Sequence, residues 1–443
     1  MRIKINKGLD ISLKGGLTDY APARTVMPSV CAVTPDDFPG FVPKPAVREG
    51  DSVKVGSAVL FDKLHPEVKL VSPMSGKVKA IVRGERRKIE RVVIEADGTD
   101  EVLRYDVSKP SVQLLAEAGL LARMRRRPFD IVPDPAVRPR DIFVTAFDSA
   151  PLAMPLTAQL GPDAPAVLAR AVKALSTMTD GKVYISHNAD WTLGDIPGAE
   201  MVEVTGKHPA GNVGVQIANI APVNKGDNLW ALDVATLYKI GRLLADGVYD
   251  PATVVAVVGP RVLNPVAIKT IEGAPIADLT AGNLDTSHGT LRVISGNVLT
   301  GTAVSTADDG FLRYPYRQIT VIDEGDHADE FLGWASLSPS KLSASRALPF
   351  SRLRKAFSPD ARIQGGQRAM IMSGQYDKMV PMDIMTEYLL KAIIARNIDD
   401  MEALGIYEIA PEDVALAEFA DTSKLPLQKI VRDGLDYLRK EIE

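Results

Sequence analysis

The chain has 443 residues, 46% of them hydrophobic and 24% charged, and a formal net charge of −4. The length gives room for about three domains, and the composition is that of an ordinary globular protein. The slight acidity excludes an electrostatic footprint for nucleic acid. The single cysteine, Cys31, excludes an internal disulfide and any cysteine-ligated zinc or iron–sulfur cluster.

Met1 to Pro43 is extended and turn-rich, and Arg2-Ile3-Lys4-Ile5 alternates like an edge strand. The first residues are basic, but no apolar run follows, so no signal peptide is expected. The longest clean apolar run, Thr253 to Val258, is far shorter than the roughly 20 residues of a membrane helix. A single cysteine suits a reducing cytoplasm, and Cys31 is expected as a small buried apolar residue.

From Lys44 to Gly98, short β-branched runs alternate with Gly, Asp and Pro. This pattern predicts a small all-β unit of short strands and tight turns. Gly50-Asp51, Gly56 and Ser75-Gly76-Lys77-Val78 resemble the barrel-sandwich fold of biotinyl and lipoyl carrier domains. In that pattern the modified hairpin falls at Asp62-Lys63-Leu64-His65-Pro66, with His65 where the carrier lysine belongs and Lys63 two positions off. The fold is therefore expected without its attachment chemistry, as a structural or docking module.

Ser111 to Arg127 predicts a helix, apolar at Leu114, Leu115, Leu120, Leu121 and Met124. Its basic end (Arg123, Arg125, Arg126, Arg127) has two readings, a helix C-terminus favouring cations or a phosphate or partner contact. Asp141 to Val204 alternates strand and helix, as in a Rossmann-like parallel sheet. The strands are Ile142–Ala146, Val183–Ser186 and Val202–Val204, with a helix from Ala164 to Met178. A further helix is expected from Ala231 to Ala245, and Thr253 to Val258 as a central strand. Ligands in such sheets sit beyond the carboxyl ends of the strands. The candidates for a ligand pocket there are Phe147, Asp148, His187, Asp190, Trp191 and His208. No dinucleotide glycine fingerprint or phosphate loop accompanies them.

Leu263 to Glu324 is β-rich and predicts a small β-grasp-like unit, with a loop over Thr280 to Gly289. Asp326 to Gln375 is basic, with Phe331, Trp334, Phe350 and Phe357, and fits either a solvated loop or an interaction segment that orders on a partner. Pro381 to Glu443 is helical, with apolar stripes through Ile384, Leu389 and Ile393 and through Leu427, Val431, Leu435 and Leu438. The expected class is multidomain α/β. Residues 1–105 hold an N-terminal segment and the barrel-sandwich unit, 106–260 a Rossmann-like domain, 261–325 the β-grasp-like unit, and 326–443 a basic connector and a C-terminal helical domain.

Several stretches stand in a recognisable order: Met1–Asp10, Arg127-Pro128-Phe129, Ile142–Asp148, His208-Pro209-Ala210-Gly211, Val293-Ile294-Ser295-Gly296, Met379–Ile384 and Leu404–Glu408. Together they resemble the A-subunit family of the bacterial sodium-translocating NADH:quinone oxidoreductase over essentially the whole chain. The resemblance implies a peripheral subunit on the cytoplasmic face of the inner membrane, at the quinone-reducing end of a six-subunit complex. It also implies an architecture shared with the flavin-binding subunit of respiratory complex I, without that relative's cluster cysteines and glycine-rich flavin loop. No cofactor is then expected on this chain. Ubiquinone would be substrate of the complex, and NADH, flavins and iron–sulfur centres would belong to other subunits. Its partners would be the other five subunits, one of them membrane-embedded. Family members often continue His-Pro-Ala-Gly with further histidines, whereas here the run is Asn212 to Ala218 with none. Other readings are a scaffold subunit without a quinone site, a carrier enzyme, and a soluble NADH- or flavin-dependent oxidoreductase.

Overall fold

The computed structural model describes residues 1–307, 309–326, 342, 344 and 355–442. Of the basic connector expected after Asp326, Phe331, Trp334 and Phe350 lie outside the described residues. Phe357 is described. Its N–H donates to the Ser12 carbonyl at 2.9 Å, and its own carbonyl accepts from Lys14 N–H at 2.8 Å.

The first unit is the expected barrel-sandwich. Strands Val30–Val33, Ile89–Ala96, Gly76–Arg83 and Ser52–Val53 form one sheet, and Pro43–Pro45, Ala58–Asp62 and Lys69–Val71 form the other. Alternate residues of both sheets turn inward, and Cys31, Val59, Leu60, Val78, Val92 and Ile94 are buried between them. The hairpin from Asp62 to Pro66 joins two strands of the smaller sheet. Buried Asp62 ties it down by accepting N–H bonds from Leu64 (3.0 Å) and Val42 (3.2 Å). Lys63 is exposed, and His65 lies 3.7 Å from Asp134.

The Rossmann-like sheet runs in the order Arg2–Lys4, Glu200–Thr205, Val183–His187, Ile142–Thr145, Leu229–Asp233 and Arg125–Arg127. All neighbours are parallel except the last pair. Both faces are covered, as a parallel sheet requires. Ile142 and Val144 share a core with the barrel-sandwich unit and with helices Ala164–Leu175 and Val234–Asp246. Phe143 on the opposite face joins helix Val213–Ile220 and the C-terminal helices Thr386–Ala395 and Leu427–Ile442. The C-terminal helices therefore share their core with the sheet.

Four expectations are corrected here. The helix expected from Ser111 to Arg127 spans only Val112–Glu117. Gly119, at φ +73°, follows its end, and Arg125–Arg127 pairs as an edge strand with Leu229–Asp233. The helix expected from Ala231 begins at Val234, because Asp233 caps it by accepting the Thr236 N–H at 2.7 Å. The residues before it form a strand beside Ile142–Thr145. The strand Ala252–Val258 lies outside this sheet. It pairs antiparallel with Val266–Ile271 and parallel with Gln318–Asp323. With Leu291–Ser295, Thr302–Ala303 and Arg24–Thr25 these make a separate mixed sheet, the β-grasp-like unit, with a short helix at Ile276–Thr280.

The fourth correction concerns the N-terminal segment, which serves the other units rather than the barrel-sandwich alone. Its first strand extends the Rossmann-like sheet and Arg24–Thr25 extends the β-grasp-like one. Between them the chain is threaded tightly. A Cβ on Gly8 would lie 2.2 Å from the His208 carbonyl oxygen, and one on Gly15 would lie 2.1 Å from that of Gly259. No helix among the described residues is long and apolar enough to cross a membrane.

Candidate functional site

The residues expected at the carboxyl edge of the Rossmann-like sheet fall into two groups. The loops after Ile142–Thr145 and Glu200–Thr205 meet. There Ser149 Oγ lies 3.1 Å from His208 Nδ1 and accepts the Gly211 N–H at 2.8 Å, while Asp10 accepts the His208 backbone N–H at 3.0 Å. His208 is buried, and burial lowers its imidazole to about 4. It is a neutral residue that locks the N-terminal segment in place. Phe147 is buried in the core beneath. Asp148 is exposed, with Arg317 nearby.

His187, Asp190 and Trp191 form the second group, on the loop after Val183–His187. The His187 and Trp191 rings are 5.9 Å apart and tilted, Trp191 Nε1 donates to the Gly194 carbonyl at 2.8 Å, and Asp190 accepts from Asn188 at 2.9 Å. Every one of these bonds is made within the loop. They shape the loop and do not converge on the first group.

A better-formed cavity, of about 60 Å³, lies where three units meet. The barrel-sandwich contributes Phe38, Leu70 and Val71, the segment before the edge strand contributes Arg123, and the β-grasp-like unit contributes Glu272 and Tyr314. Phe38 and Tyr314 stack with centroids 5.1 Å apart and planes 7° from parallel. Arg123 lies over the Tyr314 ring at 4.8 Å, and its carbonyl accepts from the Tyr314 hydroxyl at 2.8 Å.

Buried charge surrounds this aromatic pair. Arg123 grips Glu272 at two points, 2.9 and 2.5 Å, and Tyr249 donates to the same carboxylate. Lys239 Nζ lies 3.2 Å from Glu272 and donates to the carbonyls of Asp250 and Ala252, both at 2.7 Å. Burial disfavours the Glu272 charge, but Arg123 and Lys239 outweigh it and hold the carboxyl below its ordinary range. Asp37 accepts from Arg313 Nε at 2.6 Å and from the Tyr314 N–H at 2.9 Å, and Arg317 pairs with Asp233 at 2.6 Å. Among the described residues, Arg123, Lys239, Arg313 and Arg317 stand against Glu272, Asp37 and Asp233, with Asp250 also near Lys239 and Asp148 near Arg317, so the charges are close to balance. Apolar walls, an aromatic pair and a few convergent polar groups are the lining of a small-molecule site, in a space well below the usual volume of one.

Sequence reasoning missed Arg123, Glu272 and Tyr314. Arg123 was visible only as one member of a basic run. The signal lay in its neighbours, since an arginine directly after Leu120-Leu121-Ala122 is carried into the core with them.

Three family models match consecutive parts of the chain. They are the NqrA N-terminal barrel-sandwich hybrid domain over residues 3–97, the NqrA second alpha/beta domain over 108–249, and the NQRA C-terminal domain over 254–306. Curated relatives match along nearly their whole length. Proteins named as the A subunit of Na(+)-translocating NADH-quinone reductase are 35% identical in Yersinia pestis (strain Angola) and 37% in Serratia proteamaculans, each covering 99% of this chain and 100% of its own. The protein of that name from Rhodopirellula baltica is 36% identical over 99% of this chain and 98% of its own.

Proposed function

The chain belongs to the NqrA family, the A subunits of the Na(+)-translocating NADH-quinone reductase, and on that premise we propose that it acts at the quinone-reducing end of the complex, holding the ubiquinone head ring in the junction cavity. The observation that carries this reading is the stacked Phe38–Tyr314 pair beside Arg123, walled by Leu70, Val71 and Leu312. A quinone head is flat and apolar on its faces, with two carbonyl acceptors at its rim. Aromatic and aliphatic walls suit its faces. Arg123, Arg313 and Arg317 in its lining suit its oxygens, which gain negative charge as electrons arrive. At about 60 Å³ the space is smaller than the head ring, so the walls must part to admit it, and the isoprenoid tail runs outward toward the membrane partner.

In this reading the chain is peripheral, on the cytoplasmic face. Hydride uptake from NADH and the flavin and iron–sulfur chemistry belong to the other five subunits. The test uses the complex prepared without this chain. NADH oxidation by an artificial one-electron acceptor should survive, while sodium-dependent quinone reduction should be lost. Loss of both activities with the other subunits still assembled would move the chain to the NADH end. Undiminished quinone reduction would make it a scaffold.

A further inference from the structure

The edge strand Arg125–Arg127 ends in a second buried cluster, distinct from the junction cavity. Arg127 is 2% exposed and faces three carboxylates: Glu412 at 3.0 Å, Asp130 at 3.6 Å and Asp413 at 3.7 Å. One guanidinium faces three carboxylates, of which Asp413 is fully enclosed, Asp130 largely so and Glu412 partly open, and carboxylates that share a site relieve the repulsion by keeping a proton.

The hydrogen bonding fits that charge count. Asp413 is fully enclosed. Its Oδ2 accepts the Ala410 N–H at 2.9 Å, while its Oδ1 accepts from no protein group, and Arg127 Nε and Nη1 donate to none. Gly214 closes one side so tightly that a Cβ there would lie 2.3 Å from Asp413 Oδ2. Among the described residues, the other packed elements bring no free cation. Asn212 donates to the Glu412 carbonyl at 3.1 Å and also faces the Asp413 carboxyl, where it favours the charged form against the effect of burial. From helix Leu427–Ile442, Arg432 donates to the carbonyls of Phe129 (2.7 Å) and Asp130 (3.1 Å) and pairs with Asp436. Arg125 lies farther off and is engaged with the Asp37 carbonyl at 2.9 Å, and Tyr316 is a neutral phenol facing the same region.

We propose that Glu412 and Asp413 form a proton-binding site that holds one proton at neutral pH, and that losing this proton loosens the C-terminal helices from the α/β sheet. Glu412 keeps 41% of its side chain open, whereas Asp413 keeps none. Exchange with water therefore runs through Glu412. Burial and the Asp413 charge push Glu412 up to about 8, and burial pushes Asp413 up to about 6, the two titrating as a pair. These folded values lie above the unfolded ones, so the native chain binds more protons in between. Stability then falls as pH rises through that window.

The test is an infrared pH titration of the purified full chain between about pH 6 and pH 9, with the unfolding midpoint followed over the same range. Wild type should lose the carbonyl stretch of one protonated carboxylic acid and gain carboxylate, and its midpoint should fall. Glu412→Gln, which mimics the protonated acid, should lack that spectral change and flatten the fall. If Glu412→Gln does not fold, Asp413→Asn takes its place, and the wild-type titration remains decisive. A wild-type spectrum without the protonated acid, or a folded variant with an unchanged signal and slope, would overturn the proposal.

Discussion

Arg123 and Glu272 meet as a two-point pair, Nη1 to Oε1 at 2.9 Å and Nη2 to Oε2 at 2.5 Å, although 149 residues separate them. The pair fastens the lead-in to the Rossmann-like sheet against the β-grasp-like unit, at the wall of the junction cavity. Removing one partner of a buried pair leaves the other charge uncompensated. Arg123→Ala should therefore lower stability by about 3–5 kcal/mol. Glu272→Gln should act in the same direction, because it leaves Arg123 and Lys239 facing each other. Equilibrium urea unfolding measures both. The exposed pair Lys182–Glu200 is the control, and Lys182→Ala should leave the midpoint unchanged.

His208 gives an opposite pH signature to that of the Glu412–Asp413 pair. Burial depresses its folded value to about 4, below that of the free imidazole. Between about pH 6.5 and pH 4 the unfolded chain binds a proton that the native chain does not, so stability falls on acidification, by about 3 kcal/mol once the window is crossed. His208→Gln should flatten this limb and leave the alkaline limb intact. Unfolding midpoints at a series of acidic pH values check it.

The close threading of the N-terminal segment predicts a steep cost for small changes. Gly15 sits at φ +81° with the Gly259 carbonyl in the place of a Cβ. Gly15→Ala should cost about 2 kcal/mol or more. Gly50→Ala, at φ +89° with no atom within 4 Å, should cost less. Comparing their thermal midpoints separates steric contact from backbone strain.

His187, Asp190 and Trp191 bond within their own loop, which separates them from any ligand in the junction cavity. Trp191→Phe and His187→Gln should leave quinone reduction by the assembled complex unchanged. A severalfold loss with either would bring the carboxyl edge of the Rossmann-like sheet back as the site.

Local pattern carried much of the fold. The β-branched runs punctuated by Gly and Asp between Lys44 and Gly98 were enough for the barrel-sandwich, and the stripe on Ala164–Leu175 was enough for its helix. What local pattern does not encode is partnership. Ala252–Val258 is legible as a buried strand in either sheet, and its pairing with Val266–Ile271 and Gln318–Asp323 is decided by packing across the units. The arginine run shows the same limit at the site. Arg123 and Arg127 look solvated until Glu272 and Glu412, 149 and 285 residues away, arrive to pair with them. The ligand candidates drawn from strand ends were sound as loop positions. The cavity instead formed from three units that no single segment reveals.

The central claim is that this chain itself holds the quinone ring against Phe38 and Tyr314. Its most direct test is calorimetric titration of the purified full chain with a short-tailed ubiquinone. Saturable binding of one quinone per chain is the expected result. Tyr314→Leu should weaken it about tenfold or more, a loss of about 1.4 kcal/mol, and Trp191→Phe should leave it unchanged. Absence of binding to the folded chain, or equal affinity in wild type and Tyr314→Leu, would contradict the claim.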